Sequence, residues 1–183
     1  MKTRTIGSVM VGLVLVAAAC GGDDGAATDG PQPGMETMAE MNMGDVSLTR
    51  ADEVDGASLA EGGFELLATA PFGFDRLAGT AWLARHDSGT TVTLELSGLQ
   101  PDSAYVAHVH AGTCAEAGGP HFQFDPDGGT TPPNEIHLAF DGDPAGDGFM
   151  TVAHDSRVGS EARSVVVHST VGSAPKVACA DLG

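Results

Sequence analysis

From residue 64 onward, apolar and polar positions follow one another at short period. Val92, Leu94 and Leu96 alternate with Thr93, Glu95 and Ser97, the two-residue repeat of a half-buried strand. Similar runs, each bounded by turn residues, predict strands over 64–70, 77–85, 90–99, 104–112, 135–141, 148–155, 164–170 and 176–182. His86-Asp87-Ser88-Gly89 reads as the turn between the second and third, and Asp147-Gly148 marks another. No stretch carries a sustained helical repeat. Some eight short strands at this spacing point to an all-β sandwich or closed barrel, and the ~120 residues involved suffice for one core. The longest gap between strands, 113–134, is rich in glycine and proline; a loop of that length inside a compact domain is usually functional.

The pattern before residue 64 is different. Lys2 and Arg4 precede an apolar run over 6–19, which ends in Ala17-Ala18-Ala19-Cys20. This is the layout of a signal peptide at 1–19, too short for a membrane-spanning helix. Small residues before a cysteine resemble a bacterial lipobox, with Ala17 where leucine is usual, so Cys20 is expected to carry lipid and anchor an exported protein to the membrane. Residues 20–63 read as a linker. They hold ten acids against one base, Arg50, few large apolar residues and no aromatic, a composition unable to offset its own chain entropy. The expected organisation is therefore leader 1–19, linker 20–63 and domain 64–183.

Charge narrows the partners. Without 1–19 the chain carries 6 basic and 25 acidic residues, a formal −19. Such a surface excludes nucleic acid as a partner and gives no attraction to anionic lipid, so membrane association rests on the lipid. With Cys20 taken by the anchor, Cys114 and Cys179 remain as an even pair in an exported chain, where disulfides persist.

Four of the seven histidines fall where chemistry can use them. His108 and His110 flank Val109 on one strand and share a face, so Tyr105, Ala107 and Val109 can face the core while both imidazoles project outward. His121 sits in the long loop, in Gly119-Pro120-His121-Phe122. His168 closes Val165-Val166-Val167-His168, again on the outer side of its strand. Neutral imidazoles from three segments suit copper or zinc, although a lone His-x-His is more often surface decoration. His86 and His154 lack such company and read as solvated.

The order of these motifs carries a family resemblance. His-Val-His, Cys114, Gly-Pro-His-Phe, an acidic Gly/Pro loop with a histidine, Val-Val-Val-His and Lys-Val-Ala-Cys-Ala-Asp-Leu-Gly resemble the copper/zinc superoxide dismutases across 64–183. The resemblance implies an eight-stranded Greek-key β-barrel, copper held by His108, His110, His121 and His168, and a Cys114–Cys179 disulfide. It puts His121 at the position that bridges copper and zinc and exchanges the catalytic proton.

The sequence departs from the family in three places. In the zinc site, His137 and Asp141 (or Asp143) fall near two ligand positions, shifted by one residue in their spacing, and Asp127 stands where a histidine is expected. Only ten residues separate His168 from Cys179, so the charged loop of the family is missing. The active-site arginine is Lys176, a flexible ammonium that attracts an anion without a bidentate fork. The first two departures resemble the copper-only branch, which implies little or no zinc. The functional expectation is extracytoplasmic dismutation of superoxide, with His121 and Lys176 as catalytic residues; the alternative is a copper-holding or copper-delivering lipoprotein. Met35, Met38, Met41 and Met43 read as part of an acidic linker, or else as soft Cu(I) donors.

Overall fold

The structure, a computed structural model, describes residues 41–183. Cys20, the leader, Met35 and Met38 lie outside the described residues. Eight strands form: β1 (Ser58–Leu66), β2 (Ala78–His86), β3 (Gly89–Ser97), β4 (Ala104–His110), β5 (His137–Asp141), β6 (Gly148–His154), β7 (Ser164–Ser169) and β8 (Lys176–Asp181). All neighbours pair antiparallel in the order β5-β4-β7-β8-β1-β2-β3-β6. The β3-to-β4 and β6-to-β7 connections cross between distant parts of this order, whereas β2 and β3 form the expected tight hairpin closed by His86 and Gly89. The sheet curls on itself, and residues of alternating parity fill the interior: Leu83, Val92, Leu94, Tyr105, Ala107, Val109, Leu138, Val165 and Val167 are fully enclosed. Truncating one such leucine to alanine costs about 2–5 kcal/mol.

β1 serves both halves of the barrel. Ser58–Gly63 pair with β2, then Phe64–Leu66 turn to pair with β8. A side chain at Gly62 would collide with the Asp181 carbonyl, so the crossing requires glycine there.

The boundary expected between linker and domain at 63/64 is therefore misplaced, because it cuts β1. The chain is already attached to the barrel well before it. Met43 accepts a hydrogen bond from the Ala139 amide of β5 (2.9 Å), the Asp45 amide donates to Thr151 of β6 (2.7 Å), and the Asn42 side chain donates to Ala153 of β6 (2.6 Å). β5 and β6 are the two ends of the strand order, and among the described residues no ladder joins them. Residues 42–45 thus bond both edges across the seam. Farther on, the Ala51 amide donates to Thr93 Oγ1 (2.9 Å), and Arg50 bonds Asp52 and Glu95 (3.0 and 3.1 Å) while lying over the rings of Trp82 and Phe149. These attachments use backbone groups, one cation and small side chains, none of which leaves an apolar period.

A chain begun at Phe64 loses the Ser58–Gly63 half of β1 as well as the strap, the attached run over 41–53. It is expected to show no cooperative unfolding transition in urea followed by circular dichroism, whereas a chain begun at Met41 should unfold in one step. A cooperative transition for the shorter chain would show that the strap and the first half of β1 are dispensable.

Candidate metal centre

Four histidines meet on the outer face of β4 and β7. His108 and His110 come from β4 and His168 from β7, where the register with β8 shifts between Val167 and His168. His121 arrives from the long loop through an isolated bridge opposite His110. It is held there because its neighbours are clamped: the Phe122 amide donates to Val109 (2.9 Å), the Ala111 amide donates to Pro120 (3.0 Å), and the Phe122 ring is buried in the core. With Phe122 pointing in, His121 points to the cluster.

Ring centroids lie 4.2 Å apart for His108 and His121, 4.6 Å for His110 and His121, and 4.9 Å for His108 and His168. One nitrogen from each of the four rings falls within 4.8 Å of all the others. Three buried ring nitrogens, His108 Nδ1, His110 Nε2 and His168 Nε2, have no hydrogen-bond partner. Unsatisfied buried polar atoms each cost about 1–3 kcal/mol, so three converging on one place call for something that binds lone pairs. The residues therefore fit a metal ion of the kind that takes imidazole.

The opposite side of three of the rings faces protein partners. His110 Nδ1 sits 3.2 Å from the Gly119 carbonyl, which fixes Nδ1 as the donor and Nε2 as the lone pair. The loop comes this close because Gly118 has φ +80°, and a Cβ there would stand 3.0 Å from His110 Nδ1. The backbone of Ala174 faces His168 and partly offsets the lowering of its pKa by burial. His121 Nδ1 donates to Glu135 Oε2 at 2.7 Å, leaving Nε2 as its free nitrogen.

The expectation that His108 and His110 project outward is correct for the strand but incomplete for the side chains. The loop over 111–136 covers them, so His110 is 0% exposed and His108 and His168 are 9% and 8%. The loop is fastened by the Cys114–Cys179 disulfide to β8, by the Cys114 amide on Asp181 (2.8 Å), and by a capping box between Thr113 and Glu116. His154 and His86 are likewise half-buried and bonded: His154 Nε2 donates to the Pro133 carbonyl (2.7 Å) and stacks on Phe124, and His86 bonds Ser88 and Thr91.

Burial dominates the electrostatics. It disfavours the charged imidazolium, and neighbouring histidines add to this, pushing His108 down to about 2 and His110 and His168 to about 3 and about 4. Three of the four rings are thus neutral at any ordinary pH, the form that binds metal.

Glu135 is the residue that sequence reading missed. It is 2% exposed; one oxygen accepts from both His121 and His137 Nε2 (2.8 Å), and the other accepts from Gln123 (3.3 Å). Among the described residues no lysine or arginine pairs with it. Its only sequence signal is an acid one residue before an apolar Ile136 and two before a histidine, which identifies nothing by itself. His121, Glu135 and His137 form a second group of possible ligands sharing His121 with the first.

Asp127 and Asp141, expected near a zinc ion, do not join that group. Asp127 is exposed in a tight turn, its amide bonded to Asp125. Asp141 is exposed at the far end of β5, four residues from His137, which along a strand is about 13 Å. Lys176 is not the free ammonium expected either. Its Nζ donates to the carbonyls of Ala117 (2.8 Å) and Gly119 (3.0 Å), and partial burial lowers its pKa.

Two outcomes follow. The folded pKa values of His108, His110 and His168 lie below the unfolded 6.5, so the unfolded chain binds more protons between them. The stability of the metal-free protein should fall as pH drops from 6.5 toward about 4, with a net proton uptake on unfolding approaching three at pH 5; urea midpoints at stepped pH measure this, and a flat profile across the window would contradict the burial of neutral rings. Glu135→Gln keeps an oxygen acceptor but loses the charge. It should lower affinity for a divalent metal by about tenfold or more without unfolding the chain, as read by competitive titration.

No protein-family model matches the sequence, and a search of curated proteins found no match. Among solved structures the chain is similar to the Cu/Zn superoxide dismutase from Brucella abortus, with 18% identity and a TM-score of 0.49, over 69% of this chain and 99% of that one.

Proposed function

We propose that the protein is an exported, copper-dependent superoxide dismutase. The observation that carries this reading is the convergence of three unpartnered buried nitrogens, on His108, His110 and His168, with the free nitrogen of His121. The ordered motifs that resemble copper/zinc superoxide dismutases support it, as does a disulfide that persists in oxidising compartments. Export through residues 1–19 and lipidation at Cys20 complete the reading and keep the protein at the extracytoplasmic membrane surface.

His108, His110, His121 and His168 would hold copper. Copper, when bound, supplies the one-electron couple through which one superoxide leaves as oxygen and a second as peroxide. His121 can carry a proton at Nε2, because Nδ1 remains bonded to Glu135 and that carboxylate offsets the charge of an imidazolium. Glu135 is a positioning residue here: it orients His121 and His137 where the wider family has zinc, so zinc is not required. Lys176 spends two of its three N–H bonds on Ala117 and Gly119 and has one left for an anion. Its ammonium is therefore fixed relative to His110, which bonds the same Gly119 carbonyl.

The strongly acidic surface favours a second reading, copper holding or delivery, because it repels an anionic substrate. Residues 41–183 carry 20 acidic and 6 basic residues, a formal −14.

Copper titration of the full chain should load one Cu(II) whose visible and electron paramagnetic resonance spectra change in His121→Ala and His168→Ala; unaltered spectra would remove the assigned site. The loaded protein should accelerate superoxide decay beyond free copper, and failure to do so with copper in place would favour holding or delivery. If it is an enzyme, salt separates distant acids from the nearby lysine. Raising ionic strength shortens the Debye length from about 30 Å at 0.01 M to about 8 Å at 0.15 M. The rate should hold or rise, Lys176→Glu should lower it at every salt concentration, and Lys176→Arg should preserve it. A steep fall with salt would reveal a steering field, and an inert Lys176→Glu would remove the lysine from anion guidance.

A further inference from the structure

The outer face of β4 and β5 carries a second feature beside the histidine cluster. In register, Val106 stands opposite Ala139 and His108 opposite His137. Over them lies a cavity of about 540 Å³, and Met41 and Met43 form part of its lining. The cavity and the metal centre share a wall, since the His108 ring lines the cavity while its Nδ1 is one of the unpartnered nitrogens of the cluster.

The methionines are held at this wall by the backbone around them. Met43 accepts from Ala139, Asn42 is tied to Ala153, and Asp45 is tied to Thr151, so the strap fixes where both side chains begin. Both are half-buried, neither packed into the core nor free in solvent. Thioethers are soft donors that select Cu(I), and imidazole accepts the same ion. Two thioethers and an imidazole around one cavity make a donor set for Cu(I), placed one ring's width from a site suited to hold copper.

We propose that Met41 and Met43 form a Cu(I) capture site that passes its ion to the four-histidine centre by way of His108. The proposal rests on the copper reading above. The transfer is a ligand exchange at constant oxidation state: copper–sulfur bonds break as copper–nitrogen bonds form, and no oxidant or reductant is needed.

The test uses the metal-free full chain and its Met41→Leu/Met43→Leu variant, in which leucine keeps volume and apolarity while removing the sulfur. Cu(I) is supplied from a coloured chelator, whose loss of colour reports uptake. The variant should take up Cu(I) about tenfold more slowly, while its uptake of Cu(II) is unchanged, because thioethers select the monovalent ion. The single variants should be intermediate, and equal melting temperatures of the metal-free proteins will confirm that the strap is in place. In a His110→Ala background, X-ray absorption of the Cu(I) form should show a copper–sulfur shell that disappears when both methionines become leucine. Equal Cu(I) uptake by wild type and double variant, or a sulfur shell that survives the double substitution, overturns the proposal and leaves the methionines as a cover for Val106 and Ala139. Failure of the copper reading has a separate signature: wild type would then develop no histidine-bound Cu(II) spectrum, whatever the sulfur shell does.

Discussion

The constraint on which the structure turns is the burial of neutral imidazoles with unsatisfied nitrogens. On a bare sheet, His108 and His110 would point into water from the outer face of β4. The loop over 111–136 removes that water, and desolvation drives the rings to the neutral form. The cost is three lone pairs without partners, which a bound ion recovers. Much of the loop's fastening serves this end. The disulfide holds Cys114 to β8 with a sequence separation of 65, worth about 4 kcal/mol in the chain-entropy account, and Gly118-Gly119 supplies the backbone approach that fixes His110.

Glu135 answers a second problem created by the same burial. His121 has two nitrogens, and only one can face the cluster; the other needs a partner inside the protein. A carboxylate meets that need for His121 and His137 together, and its own second oxygen is met by Gln123. Among the described residues no lysine or arginine pairs with this buried anion, and a buried anion is better tolerated next to a cation, so the carboxylate would be supported by an ion held at the histidines. His121 and His137 meet at Glu135, whereas Asp127 and Asp141, expected at a diminished zinc place, stand apart from both groups of possible ligands.

Much of the barrel was legible because two-residue alternation is local: seven of the eight strands begin within two residues of where the pattern puts them. β1 is the exception. Ser58, Glu61, Gly62 and Gly63 carry little apolar signal, and what makes them a strand is the edge of β2. The strap at 41–53 escaped for the same reason, since its bonds to β5, β6 and β3 span 42 to 111 residues of chain and mostly involve backbone groups that any residue could supply. At the site, His108, His110, His121 and His168 were legible as donors by type and spacing. Glu135 was not, because its significance lies in which rings the fold brings to it. Lys176 was legible by position, but its bonds to Ala117 and Gly119 depend on a loop conformation set by positive-φ residues.

The strap gives the acidic N-terminal region a structural meaning that composition hides. Residues 42–45 bond the two edges of the sheet, and the methionines on either side of Asn42 wall the cavity beside His108. Closure of the seam and the cover over one side of His108 therefore depend on one short run of chain. A change that loosens the strap exposes the amide of Ala139 and the carbonyl of Thr151 on opposite edges, and it also opens the outer face of β4 to water. Water there would weaken the desolvation that keeps His108 neutral. Stability of the barrel and readiness of the histidines to accept metal are thus coupled through residues that carry no ligand to the four-histidine centre.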